Sequence, residues 1–107
     1  MTDDERDWRK AERAQIWRPG DGEVLQGTYV HSRARSGSYG EYFLHVVRTE
    51  AGLFSVSGSV ISALLEDAGV VSGDLVRVVF LGKKSTATGK REYKDFELYI
   101  AESVETK

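Results

Sequence analysis

The chain of 107 residues is 40% hydrophobic and 30% charged, and it carries a formal net charge of −2. This length predicts one domain, and the composition is typical of a soluble globular protein without the run of about 20 apolar residues that a membrane-spanning helix needs. The absence of cysteine excludes disulfides, thiolate nucleophiles and cysteine-ligated zinc. The charged first residues are unlike a secretory signal, so we expect a cytoplasmic protein with no membrane association.

Residues 1–22 are predicted to form an N-terminal helix or arm. Thr2 and Glu5 have the spacing of a capping box, but apolar residues are too sparse for a strongly amphipathic helix. The Pro-Gly-Asp-Gly sequence at residues 19–22 ends the segment, because proline and glycine interrupt helices. The main domain is therefore expected over residues 23–103.

The main domain has the pattern of a small β protein with one helix. Gly27 lies inside the first strand-like run and indicates a bulge or a bend there. Helical spacing of the apolar residues predicts a short helix over residues 59–68, with Ser57 or Ser59 at its start and Gly69 at its left-handed end. Alternating apolar and polar residues predict strands at residues 23–33, 41–49, 53–57, 75–81 and 93–103.

The last two predicted strands flank a strongly basic segment, residues 82–96. The segment contains five basic residues and only two acids, Glu92 and Asp95, so positive charge is concentrated here although the whole chain is slightly acidic. Lysine and arginine neutralise phosphates, which makes the segment a candidate for holding a nucleic-acid backbone; the alternative is a solvated loop that keeps the protein soluble. Its basic residues are Lys83, Lys84, Lys90, Arg91 and Lys94.

A second positive site lies at the predicted hairpin of residues 33–42. Arg33 and Arg35 precede a glycine-rich turn that contains Tyr39, and Tyr42 follows it. Arginine pairs with phosphate and tyrosine stacks on bases, so this combination suits single-stranded nucleic acid. The alternative is an exposed tip with one ring folded back onto the core.

Alternation in the second strand leaves its register open. If Leu44 and Val46 face inward, Phe43 and His45 face outward, where bases could stack on Phe43. In the reversed register Phe43 belongs to the core and Tyr42 takes over the stacking role. We expect the first register.

The element order resembles that of the OB-fold, in which a helix lies between the third and fourth strands of a Greek-key barrel. The resemblance covers residues 23–102 and is carried by the glycine-bent first strand, the helix, and the Gly73-Asp74 turn before the fourth strand. Within that fold, the glycine-rich hairpin and the basic loop make the chain similar to small bacteriophage-type single-stranded-DNA-binding proteins. The resemblance implies an all-β fold with a small α element, a five-stranded barrel, and a binding groove bordered by both loops. The chain departs from bacterial proteins of this function because it has no long acidic tail after residue 100.

No pattern in the chain indicates an enzyme. His31 and His45 lack the cysteine or paired carboxylates of a zinc site, and no Gly-x-Ser-x-Gly or phosphate-loop sequence is present. We therefore expect no catalytic residues, no metal and no cofactor.

The sequence thus predicts non-specific binding of single-stranded DNA, or RNA, through basic loops and stacking aromatic residues. An alternative is a protein-interaction or assembly module that uses the arm or a barrel edge, with a second copy or a replication or recombination protein as partner. The candidate nucleic-acid-binding residues are Arg33, Arg35, Tyr39, Tyr42, Phe43, Lys83, Lys84, Lys90, Arg91, Tyr93 and Lys94.

Overall fold

The structure, a computed structural model, describes residues 11–38 and 40–101. It confirms a mostly β fold with one short helix, which follows the third predicted strand. In chain order, the described elements are β1 (Gln15–Ile16), β2 (Val24–Gly37), β3 (Gly40–Thr49), β4 (Gly52–Ser57), α1 (Ser59–Ala68), β5 (Leu75–Ser85) and β6 (Glu92–Ile100).

All six strands belong to one sheet, in the order β1-β4-β3-β2-β5-β6. The hairpin neighbours are antiparallel, β5 returns through α1 to lie antiparallel to β2, and β1 is parallel to β4. The sheet is therefore mixed and six-stranded, where the sequence predicted five strands. It curls into a half-barrel, and no β4–β6 ladder closes it within residues 11–38 and 40–101.

The inner face of the curled sheet packs with α1 to form the core. Ile61 and Leu65 of α1 are buried on the predicted apolar stripe, and Gly69 ends the helix in the left-handed conformation, as predicted. The helix begins after Gly58 and has no side-chain cap, so the serine cap expected from the sequence is wrong. The buried core cluster contains Leu25, Tyr29, Val47, Val56, Ile61, Leu65, Val76, Val78, Phe80 and Phe96.

Gly27 lies where β2 passes from one partner strand to the other. Up to Thr28 the strand pairs with β5, and from Thr28 onward it pairs with β3. A Cβ atom at Gly27 would overlap the carbonyl oxygen of Arg48 on β3. Only glycine lets the two backbones approach so closely, which accounts for a glycine inside this strand. The pairing with β5 runs through Gly27 without a register shift, and the bulge expected there lies instead between Tyr29 and His31.

The described part of the N-terminal arm, residues 11–22, contains β1 and turns but no helix. Gln15 and Ile16 pair with Phe54 and Ser55 of β4, and the amide of Trp17 donates a hydrogen bond of 2.9 Å to the carbonyl oxygen of Ser55. The Trp17 ring then packs against Phe96, with 6.4 Å between ring centroids. Tertiary contacts therefore fix this segment to the sheet, because its own apolar residues are too few to favour a helix.

Candidate nucleic-acid interface

The first groove lies on the outer face of β2, β3 and β4 and has a volume of ≈ 550 Å³. We call it the outer groove. Arg33 and Arg35 line it from β2, and the side chains of Leu44 and Val46 from β3 form an apolar floor. Residues 12–14 and Ile16 of the arm form a further wall. The groove thus combines guanidinium groups with apolar surface, the two features that hold phosphates and bases.

A β-bulge at Val30 places the arginines in the outer groove. Tyr29 pairs with Val47 and points into the core, whereas His31 pairs with Val46 on the outer face, so Val30 is an extra residue in β2. If Val30 were instead paired as a regular strand residue, strict alternation would put His31, Arg33 and Arg35 on the same side as Tyr29. The bulge therefore turns the two arginines outward, as bulges commonly re-aim side chains next to functional sites.

Two adjoining cavities, of ≈ 360 Å³ and ≈ 510 Å³, lie where the start of β3 and the start of β6 meet the start of α1. We call them the mouth groove. Both are lined by Gly58, Ser59 and Lys94. Tyr42 and Phe43 line the first cavity, and Lys83, Glu92 and Tyr93 line the second.

A second bulge, at Leu81, decides which lysine faces the mouth groove. Phe80 pairs with Phe96, but Gly82 pairs with Asp95, so the register shifts by one residue. Lys83 consequently lies opposite Lys94 on the face that carries Phe96. Lys84 faces the other way, and its Nζ atom lies 3.9 Å from the carboxylate of Asp95.

The facing pair of Lys83 and Lys94 leaves two positive charges without an acidic partner. Within residues 11–38 and 40–101, no carboxylate lies within ion-pair distance of either ammonium group. Burial of Lys94 lowers its pKa, and the charge of Lys83 lowers it further. An anion bound between them would relieve this repulsion, since it offsets both charges.

The register expected for β3 is wrong. His45 is buried on the inner face, where its ring nitrogens are 3.3 Å from the Tyr29 hydroxyl and 2.8 Å from the Ser62 hydroxyl. Phe43 also lies on the inner face, but it is beyond the core and remains 46% exposed at the mouth groove. Apolar residues occupy both faces of β3, so alternation did not define its register.

Tyr42 lines the mouth groove and neighbours a residue of the outer groove. It lies opposite Arg35 on the outer face of the β2–β3 hairpin, and it also lines the mouth groove together with Lys94. Its side chain is exposed enough to contact a ligand. Seven candidates from the two hairpins therefore line one groove or the other: Arg33 and Arg35 line the outer groove, and Tyr42, Phe43, Lys83, Tyr93 and Lys94 line the mouth groove.

The remaining candidates in the described part of the chain line neither groove. Lys90 and Arg91 lie in the loop between β5 and β6, which is closed by a 2.9 Å hydrogen bond from the Thr86 amide to the Arg91 carbonyl oxygen. They are exposed, and neither lines the outer groove or the mouth groove. Lys84 faces away, as described above, and Tyr39 lies outside the described residues.

Sequence reasoning missed the contribution of the arm to the outer groove. Arg13 lines the groove beside Arg33 and Arg35, and Glu12 forms a 2.9 Å ion pair with Arg48 of β3. No local pattern could place them there, because the contact joins segments 36 residues apart.

Comparisons with known proteins assign no family: no family model matches this chain, and no curated protein or solved structure matches it significantly. Over the described residues, no helix has the length and apolar character to cross a membrane. The same part of the chain contains no group of three histidine or acidic side chains arranged to hold a metal ion.

Proposed function

We propose that the protein binds single-stranded nucleic acid, DNA or RNA, along a path from the outer groove to the mouth groove. The observation that carries this proposal is that one exposed tyrosine, Tyr42, lies opposite Arg35 of one hairpin and lines a cavity together with Lys94 of the other. Arg33 and Arg35 precede Tyr42 on this path, and Lys94 and Lys83 follow it. Such alternation of cationic and aromatic groups is what a flexible polyanion with stacking bases requires.

The topology supports an OB-fold assignment. Strands β2, β3 and β4 follow one another through hairpins, and β5 returns to lie beside β2, which is the spatial order of a Greek key. The curled sheet and the helix before β5 fit a partly open barrel of this class, to which β1 is an addition. In OB-folds, the outer face of the second and third strands is the common site for oligonucleotides.

Each group has a distinct role in the proposed mechanism. The arginines and lysines bind phosphates and release counterions, so affinity depends steeply on salt. Tyr42, Phe43 and Tyr93 offer rings for stacking, which tolerates any base and gives little sequence preference. The chemistry is binding alone, with no bond made or broken.

The test is a titration of a fluorescent oligo-dT with the protein at several salt concentrations, repeated with the matching RNA oligonucleotide. Replacing Arg33 and Lys94 together by alanine should lower the affinity and reduce the slope of log K against log salt by about 1.4, at about 0.7 for each phosphate on a single strand. The matched control replaces Arg18 and Arg77, which are exposed and line neither groove, and should leave the slope unchanged. Absence of binding at low salt would contradict the proposal.

The alternative, an assembly module, is favoured by a different surface. Leu75 and Tyr99 are 54% and 51% exposed and lie beside each other on the outer face of β5 and β6. Of the arm residues that suggested docking, Trp17 packs on Phe96, Ile16 is exposed, and Trp8 lies outside the described residues. Sedimentation of the wild type and of Tyr99→Ser at several protein concentrations tests this alternative. If the surface mediates assembly, the apparent mass of the wild type should rise with concentration and that of Tyr99→Ser should not.

A further inference from the structure

An ion pair between the arm and β3 lies at the end of the outer groove. Arg48 Nη1 is 2.9 Å from Glu12 Oε1, and about half of each side chain is exposed. Glu12 is the one carboxylate among the described residues that line this groove, whose other charged residues are Arg13, Arg33 and Arg35. An acid in this position works against the binding of an anion.

Arg48 continues the row of side chains that lines the outer groove. It alternates with Leu44 and Val46 along β3, so it shares their face, and it lies opposite Leu53, another residue that lines the groove. Its guanidinium is thus the next positive charge along the same surface. Arg48 differs from Arg33 and Arg35 because its guanidinium already forms an ion pair with a carboxylate of the arm, that of Glu12.

An exposed ion pair of this kind is weak and exchanges readily. Phosphate competes well for the same guanidinium, since arginine forms two charge-assisted hydrogen bonds with phosphate oxygens. Among the described residues of the arm, which begin at residue 11, the first backbone pairing to the sheet is at Gln15. Glu12 is therefore able to leave Arg48 while β1 and Trp17 stay in place.

We propose that Arg48 is a further phosphate-binding residue of the outer groove and that Glu12 competes with the nucleic-acid strand for it. This inference rests on the proposed function and adds that a carboxylate of the protein itself competes with the phosphates of the bound strand. A strand that reaches Arg48 displaces a carboxylate of the protein itself, so this contact contributes little to affinity until Glu12 has moved. The arm thereby limits how tightly the groove binds.

The test is a double-mutant cycle of Glu12→Gln and Arg48→Gln in the full chain, read by oligo-dT titration at several salt concentrations. Glu12→Gln should raise the affinity about two- to five-fold, in keeping with the strength of an exposed ion pair, and should steepen the salt slope by about 0.7. In the Arg48→Gln background, the same change should give no such gain. Glu50→Gln is the matched control, because it removes an exposed acid near Arg48 in the sequence that lines neither groove.

The outcomes separate the two proposals. A gain from Glu12→Gln that is equal with and without Arg48, or no larger than that of Glu50→Gln, would show a general charge effect and overturn the role of Arg48. A wild type and a Glu12→Gln variant that both fail to bind at low salt would overturn the proposed function, and this inference with it. Urea unfolding of each variant verifies that all four proteins are folded.

Discussion

Lys83 and Lys94 lie directly opposite each other on the β5–β6 hairpin, on the face that carries Phe96. Like charges at opposite positions of an antiparallel pair destabilise a sheet. The β5–β6 hairpin is therefore less stable than it would be with one neutral residue in this pair, and in return two cations lie at the mouth groove. Such a conflict between local stability and sequence is typical of a functional site.

Replacing Lys83 by glutamine should raise the free energy of unfolding and weaken nucleic-acid binding at once. The gain in stability should be about 0.2–1 kcal/mol, because the repulsion with Lys94 is removed. Urea unfolding and oligonucleotide titration measure the two effects. Lys84→Gln is the matched control: it removes a cation that lies near Asp95, so it should bring no gain in stability. Equal gains from both variants would contradict the repulsion.

Replacing Tyr42 by alanine should weaken oligonucleotide binding by about 1–3 kcal/mol, the contribution of one base stacked on an aromatic ring. Tyr42→Phe keeps the ring and should retain most of the affinity. Titration at one fixed salt concentration compares the two variants. If Tyr42→Ala and Tyr42→Phe bind equally, stacking on this ring plays no part.

Replacing Gly27 by alanine should destabilise the fold by more than about 2 kcal/mol, because the new Cβ atom would overlap the backbone of Arg48 and force β2 from β3. Gly20→Ala is the matched control, since nothing lies closer than 4.0 Å to a Cβ atom at that position and its φ angle is ordinary. Chemical unfolding of both variants tests this. A Gly27→Ala protein as stable as the control would mean that the two strands do not approach as described.

Acid should destabilise the protein through His45. Burial lowers the pKa of this histidine below its usual value of 6.5, so the unfolded chain takes up a proton where the folded chain does not. The stability is therefore complete above pH 6.5 and falls as the pH drops below it, by at most about 1.4 kcal/mol per unit until the folded-state pKa is reached. Unfolding free energies of wild type, His45→Gln and His31→Gln between pH 5 and 8 measure this. His45→Gln should lose part of the wild-type dependence, and His31→Gln, a change of the same kind at an exposed position, is the matched control.

Local patterns predicted the elements of this fold well. The helix over residues 59–68 coincides with α1, because its apolar stripe and its terminal Gly69 are both encoded within a few residues. The hairpin strands were predicted too, although β2 and β5 extend further than expected. Their ends are polar and lie beyond the core, so hydrophobic alternation does not mark them.

The positions of the site residues depended on features without a local signature. The bulges fall at Val30 and Leu81, which are ordinary strand residues by type, yet they determine that Arg33 and Lys83 reach the grooves. Strand β1 has two residues and was missed because its pairing with β4 is a long-range contact. The sequence indicated which residues carry the charge, whereas tertiary contacts decide where it points.

The bulge at Val30 has a consequence for how this surface can change by mutation. The loss of the codon for Val30 would remove the extra residue and restore regular alternation from Tyr29 to His31. Because His31 already pairs with Val46, next to Val47, every later side chain of β2 would keep its partner and its face, and the arginines would still line the outer groove. A change that kept Val30 but paired it as a regular strand residue would have the opposite effect, since Ser32 and Ala34 would then take the places of the arginines.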